Sequence, residues 1–196
     1  MPEVITALDY PIDVMYPIHK ALRAEAAYVE EVVRGLEDGA SLTQLLQDCT
    51  RWATALEYHA VMEDTYMTAP LDRPSARENE AEHKRLTELL AELQHMLQDA
   101  TQLTPASARQ RRHLLGKIVE LRVAQDDHLE EEEERMLPFI RQHVSATRQL
   151  DMAGRLLFDQ DANDSQWVLD WLMPHITALE HQLLTELTTR YAPAHS

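Results

Sequence analysis

The sequence predicts an all-α protein, built as an antiparallel up-down four-helix bundle with a C-terminal helical appendage. Apolar residues recur at intervals of three and four along almost the whole chain, and no segment alternates polar and apolar residues for long. The chain holds only four glycines, and Leu, Ala, Glu and Gln outnumber Val and Ile, a composition that favours helix over sheet. Its 196 residues are enough to bury a substantial core.

End signals place the first two helices. Helix 1 is predicted over about residues 12–36 or 18–36, because a proline precedes each candidate start and proline suits the first helical turn. Helix 2 is predicted over about residues 41–67, where Ser41-x-x-Gln44 has the pattern of a capping box, in which each side chain bonds the backbone N–H of the other residue. An Asp-Gly pair separates the two helices, and the loop APLDRP follows the second.

The next two helices are predicted in the same way. Helix 3 is expected over about residues 75–98, with a second capping-box pattern in Ser75-x-x-Glu78. The loop TQLTPAS follows, and helix 4 is expected over about residues 108–141 with a bend near Pro138. Four long helices joined by short loops indicate an up-down bundle.

The rest of the chain predicts two or three shorter helices. Pro174 separates a segment at 167–173 from another at 175–191, because proline interrupts a helix. We therefore expect a bundle in residues 1–143 that holds the functional site. Residues 144–196 are expected to form a helical extension that packs on the bundle.

The charge of the chain limits its partners. With a formal net charge of -16, the surface repels phosphate backbones and anionic lipid headgroups, so neither nucleic acid nor a membrane is an expected partner. The N-terminus lacks the features of a signal peptide, and no apolar stretch reaches the roughly 18 residues of a membrane span. The single cysteine, Cys49, cannot form an internal disulfide. This fits a reducing compartment, so a cytoplasmic location is expected.

Histidine and glutamate recur in a repeated pattern. A His and a Glu four residues apart lie on one face of a helix, where they can bind one ion together. Two such pairs occur, each preceded one helix earlier by a lone histidine, so the order His…His-x-x-x-Glu is found twice. The six candidate metal ligands are His19, His59, Glu63, His83, His128 and Glu132.

One of these pairs lies in the acidic run DDHLEEEEER, residues 126–135. The residues that form the apolar stripe around the first pair have counterparts 69 positions later, around the second pair. At about 100° per residue, Glu132 falls within the apolar stripe of its helix, whereas the other glutamates of the run point elsewhere. Those expected on the solvated face are Glu130, Glu131, Glu133 and Glu134.

The six residues together indicate a cation. A single buried histidine is more often an ordinary core residue than a ligand, but six residues in register on four helices favour metal. Unpaired carboxylates in a bundle interior would be strongly disfavoured. Mixed nitrogen and oxygen donors suit iron, manganese or zinc better than calcium or magnesium. Because the glutamates can bridge, two ions sharing the carboxylates is the natural arrangement, with positions left for water, oxo or a small ligand.

The pattern resembles the hemerythrin HHE family over about residues 9–143. The resemblance implies a four-helix bundle around two non-heme iron ions, with the four histidines as terminal ligands and the two glutamates as bridges. The oxygen-carrying members have a second histidine on their third helix, where this chain has Thr87, and a longer spacing on their fourth helix. The chain is more similar to iron- and oxygen-sensing members and to bacterial hemerythrin-like proteins. Reversible oxygen carriage is therefore not the expected role.

Three functions remain open from the sequence. The first is a di-iron protein that senses or reacts with dioxygen, peroxide, nitric oxide or iron supply. The second is a di-iron enzyme, acting as an oxidase, a peroxidase-like catalyst or a nitric oxide reductase. The third is a metal-free helical scaffold that binds a protein through its C-terminal helices, where Trp167 and Trp171 form an apolar face. Docking of that face on the bundle is the expected alternative to a protein partner.

Overall fold

The computed structural model describes residues 5–37, 40–71, 74–102 and 107–191, and within them the chain is helical without a strand. The fold is therefore all-α, as the sequence predicted. Its α-helices are α1 Met15–Arg34, α2 Thr43–Met62, α3 Pro74–Gln102, α4 Ala108–Glu131, α5 Leu137–His143, α6 Ala146–Leu157, α7 Trp167–Leu172 and α8 Ala178–Tyr191. No helix in the described ranges has the length and apolarity needed to cross a bilayer.

The first four helices pack as a bundle. Helices α1 and α3 each pack against both α2 and α4, so the chain goes around the bundle in order. Side chains such as Leu22, Trp52, Leu90 and Ile118 fill the centre and are fully buried. This packing places the inward faces of four helices around one axis, and the candidate ligands lie on those faces.

The helix ends differ from prediction in detail. Helix α1 follows a 3-10 turn at Pro11–Val14 and begins at Met15, between the two predicted starts. The predicted box of Ser41 and Gln44 is wrong: the Ser41 hydroxyl accepts from the Thr43 N–H, and the Gln44 amide donates to Asp48. The side chain needed for the second predicted box, at residue 75, lies outside the described residues.

Helix α4 begins with a capping box that the sequence reading did not identify. The Ser107 hydroxyl accepts from the Gln110 N–H, while the Gln110 side-chain oxygen accepts from the Ser107 N–H at 2.8 Å. Two orphan donors of the first helical turn are thereby satisfied.

Two π-helical segments interrupt the bundle helices at matching places. One covers Glu63–Thr68 after α2 and the other covers Glu132–Met136 after α4. Each begins at a glutamate of the candidate site. The α-helix thus ends at Glu131, before the position of the bend predicted near Pro138, and a wider turn follows it. Such wide turns occur often at functional sites.

The C-terminal helices contact the bundle. Helix α6 packs on α2 and on the Pro11–Val14 turn, while α7 packs on α1. The Trp167 ring meets the Tyr58 ring edge-on at 5.2 Å, so Trp167 packs against α2. Trp171 lines a pocket beside α1 and α2. The Lys20 ammonium donates to Glu180 at 2.7 and 2.8 Å, which ties α1 to α8.

Candidate metal centre

The six candidate ligands converge in the bundle interior. Each bundle helix supplies one histidine, and each π-helical segment begins with one glutamate. Their ligand atoms form two groups, and within each group all the atoms lie within 4.8 Å of one another. One group is His19, His59, Glu63 and Glu132, and the other is His83, His128, Glu63 and Glu132. Both glutamates belong to both groups.

Glu63 divides its two carboxylate oxygens between the groups. Its Oε1 lies 3.2 Å from His59 Nε2, and its Oε2 lies 3.2 Å from His83 Nε2. Two ligands bonded to one ion at about 2.1 Å each stand roughly 3–3.5 Å apart at the angles of octahedral or tetrahedral coordination. These separations fit two ligands of one ion.

Glu132 repeats the arrangement on the opposite side. Its Oε2 lies 3.5 Å from His19 Nε2, and its Oε1 lies 3.4 Å from His128 Nε2. Each glutamate thus offers one oxygen to each pair of histidines. The geometry suits two carboxylates that bridge two ions.

The inward-facing polar atoms make no hydrogen bonds within the described residues. They are the Nε2 atoms of His19, His59, His83 and His128 and both carboxylate oxygens of Glu63 and Glu132. Buried polar atoms are nearly always hydrogen-bonded, and leaving one unpaired costs about 1–3 kcal/mol. Eight such atoms around one point fit a shared cation pair, and the nitrogen and oxygen donors suit iron, manganese or zinc.

Carboxylates on neighbouring helices hold the outer nitrogens of three histidines. Glu133 accepts from His19 Nδ1 at 2.8 Å, Asp64 from His83 Nδ1 at 2.7 Å and Glu82 from His128 Nδ1 at 2.8 Å. An acceptor at Nδ1 places the proton there, leaves Nε2 free for metal and fixes the ring orientation. The sequence reading missed these three residues. A signal was present for two of them, since an acidic residue directly follows the ligand glutamate in both repeats.

The expectation that Glu133 belongs to the solvated face is wrong. Its side chain is only 23% exposed and also accepts from Arg23 Nη1 at 2.7 Å. Glu133 lies about 100° around the helix from Glu132, at the boundary between the buried and the solvated face. Helix α1 packs against that boundary, so Glu133 lies in the seam between the two helices. The wide turn that begins at Glu132 also alters the direction of the residues after it. Glu130 and Glu134, by contrast, are exposed as expected.

His59 is the exception among the histidines. Its Nδ1 has no hydrogen-bond partner in the described chain. In the other half of the repeat, His128 is held by Glu82, which directly precedes His83. The corresponding residue for His59 is the one directly before His19, and it is the buried, apolar Ile18. Burial, with the charges of the neighbouring histidines, holds the pKa of His59 well below its usual 6.5. The two halves of the centre are therefore chemically unequal.

Burial also sets the charge of the glutamates. It raises the pKa of Glu132 to about 8, with the negative charge of Glu63 acting in the same direction. Burial acts against ionisation of Glu133 too, but hydrogen bonds from His19 and Arg23 outweigh it and hold that pKa at about 2. The charge of Glu63 thus disfavours ionisation of Glu132, and a bound cation would offset that effect.

Three other residues could bear chemistry, and each has contacts or surroundings of its own. The Arg155 guanidinium stacks over the Tyr66 ring at 4.1 Å, so Tyr66 packs against α6. His175 bonds the buried carboxylate of Glu25 at 3.0 Å, a structural contact between the C-terminal segment and α1. Burial raises the pKa of the Cys49 thiol to about 12, which fits a small buried hydrophobe and not a reactive thiol.

Comparison with known proteins identifies the family. Neither a search of curated proteins nor a search of solved structures returns a match. The family model for the hemerythrin HHE cation binding domain matches residues 10–140, which include all six candidate ligands and most of the bundle. The chain belongs to the hemerythrin HHE cation-binding domain family.

Proposed function

We propose that this protein binds two iron ions between Glu63 and Glu132 and senses or reacts with dioxygen, peroxide, nitric oxide or iron supply. One observation carries the proposal. Each glutamate presents one oxygen to the pair His19–His59 and the other to the pair His83–His128. The ligand atoms that lie within 4.8 Å of one another form two groups and not one, and two ions bridged by both carboxylates would use every donor.

The donor count supports a centre that accepts an outside ligand. Each ion would have two imidazoles and one oxygen from each glutamate, four protein donors in all. Iron and manganese commonly take more ligands than this, so positions stay open, whereas zinc is often satisfied with four. Bound iron would supply one-electron chemistry and binding of small oxidants. Iron is therefore the proposed metal, with manganese and zinc as alternatives.

Residues around the centre fix its ligands. Glu133, Asp64 and Glu82 each hold an imidazole in the tautomer that directs Nε2 inward. Thr87, which stands where oxygen carriers have a further histidine, is exposed, and its hydroxyl donates to the His83 carbonyl at 2.9 Å. It gives no ligand to the centre. This supports sensing or oxidation over reversible oxygen carriage.

The alternative is a di-iron enzyme, an oxidase, a peroxidase-like catalyst or a nitric oxide reductase. The open positions that suit a sensor suit a catalyst equally well. The unequal environments of His59 and His128 favour this alternative, because two ions with different surroundings can hold different ligands during turnover.

The test begins with metal analysis after anaerobic reconstitution with Fe(II). We expect two iron ions per chain and, on exposure to air, near-ultraviolet absorption from an oxo-bridged ferric pair. A chain that holds no iron under these conditions would overturn the proposal and favour a metal-free scaffold. Oxidation that occurs once and stops supports a sensor, whereas sustained consumption of peroxide or nitric oxide supports an enzyme.

A further inference from the structure

A small cavity reaches the candidate centre from the end of the bundle where α3 begins. Its volume is about 260 Å³. The first turns of α3 form one wall with Glu78, Asn79 and Glu82, and the π-helical segment after α4 forms the other with Glu132 and Met136. Glu132 is 2% exposed and both its oxygens lack hydrogen bonds, so the cavity meets the centre at one of the two shared carboxylates.

Asn79 is a buried amide in the wall of this cavity. Its side chain is 6% exposed, and the amide nitrogen makes no hydrogen bond to any described group. Asn79 lies four residues before His83 and therefore on the same face of α3. A buried amide donor without an acceptor is costly, and such a group calls for a partner that the described residues do not supply.

The internal repeat shows that this donor belongs to one half of the centre. The residue four before His19, which corresponds to Asn79, is the fully buried Met15. Methionine has no hydrogen to donate. Bundle packing alone thus accepts an apolar side chain in this position of the repeat, and the amide at 79 needs another explanation.

We propose that the cavity is the chamber in which an outside ligand meets the metal pair, and that Asn79 donates a hydrogen bond to that ligand. The inference rests on the proposed di-iron function. Glu78, Glu82 and Glu131 line the chamber beside Glu132, and its one cationic residue, Arg135, pairs with Glu131. The lining therefore carries a net negative charge and repels free anions. The ligands selected are therefore small uncharged molecules that accept a hydrogen bond when bound, such as dioxygen, nitric oxide or hydrogen peroxide.

Nitric oxide is the probe for the test, because it is uncharged and changes the optical spectrum of ferrous iron. Iron-loaded wild type and Asn79→Leu would be saturated anaerobically, and the release of nitric oxide would be followed after addition of a trap. Losing one hydrogen bond to a bound ligand should speed release about tenfold, since affinity changes act mainly on dissociation. Met15→Leu, at the corresponding position of the other half, should release nitric oxide at the wild-type rate.

Further readouts separate the outcomes. Asn79→Leu should retain two iron ions per chain, and the metal-free variant should melt at a higher temperature than wild type because a buried unpaired amide is gone. Asn79→Ala provides the same test if the leucine variant does not fold. Equal release from wild type and both Asn79 variants would overturn this inference alone. A wild-type protein that binds iron but gives no nitric oxide spectrum would overturn both this inference and the reactive centre.

Discussion

Replacing Glu133 with alanine is expected to weaken metal binding without abolishing it. The Glu133 carboxylate accepts from His19 Nδ1 at 2.8 Å and from Arg23 at 2.7 Å. It therefore fixes the tautomer and the orientation of one imidazole in the group of four donors around one ion. Without it, the His19 ring keeps its place in the core but loses the contact that directs Nε2 to the metal.

The size of the effect follows from that position. Loss of a carboxylate behind a metal-binding histidine typically costs 10–100-fold in metal affinity, about 1.4–2.7 kcal/mol. The group that contains His83 and His128 keeps its own carboxylates, Asp64 and Glu82, and should bind as before. Glu132→Ala is different, because it removes a donor from both groups and should lose most of the metal.

The assay is a competition titration of Fe(II) against a chelator of known affinity, performed without oxygen. Glu134→Ala is the matched control, since it removes the same charge from the next residue, which is exposed. We expect wild-type affinity for Glu134→Ala, one weakened ion for Glu133→Ala and loss of most metal for Glu132→Ala. If the Glu133 and Glu134 variants bound alike, the role of the seam carboxylate would be refuted. Equal losses for the Glu132 and Glu133 variants would refute the bridging role of Glu132.

Three further predictions concern stability. Removing metal with a chelator should lower the melting temperature by about 5–10 °C. A ligand at about 100 times its dissociation constant adds roughly 2.7 kcal/mol of stability, and the melting temperature of a chain of this size shifts by about 2–4 °C per kcal/mol. An unchanged midpoint in calorimetry would contradict this prediction. Burial acts to raise the pKa of Glu180, but bonds from Lys20 and from the Thr177 and Ile5 N–H groups outweigh it and hold the pKa below its usual 4.5. The folded state thus favours the ionised form, so the stabilisation is present above the usual pKa of 4.5 and is lost as pH falls through the folded pKa. Denaturant titrations should show Glu180→Gln less stable than wild type by about 1–3 kcal/mol at pH 7, with the gap closing in acid. A gap that stayed constant with pH would count against this assignment. A Cβ at Gly154 would lie 2.0 Å from the Tyr191 ring, so Gly154→Ala should displace that ring with the end of α8 and lower the free energy of unfolding by about 1–3 kcal/mol in the same titrations. Gly116→Ala is the control, because nothing lies within 4 Å of a Cβ there, and it should not lower the free energy of unfolding.

The ligand set could be found in the sequence because it follows helical geometry. A His and a Glu four residues apart share a face in any α-helix, and the offset of 69 between the pairs singled out Glu132 from four neighbouring glutamates. The helix order and the all-α class followed from periodicity and end signals in the same way. These features depend on the local chain, which sequence patterns describe well.

The carboxylates behind the histidines could not be found in that way. Whether Glu133 faces solvent or α1 depends on how two helices are rotated against each other, and a helical wheel describes only one of them. The wide turns at Glu63 and Glu132 were not predicted either, because a spacing of about 3.6 residues describes the α-helix only. The predicted box at Ser41 failed for a different, local reason. Several polar side chains lie near the start of α2, and the Ser41 hydroxyl bonds Thr43 instead of the Gln44 N–H.

Anomalous diffraction from crystals of the iron-loaded protein tests the central claim most directly. We expect two iron peaks per chain, roughly 3.5–4 Å apart as in other two-metal sites. One peak should lie between His19 and His59 and the other between His83 and His128, with Glu63 and Glu132 touching both. A single peak, or two peaks that do not share the glutamates, would contradict it.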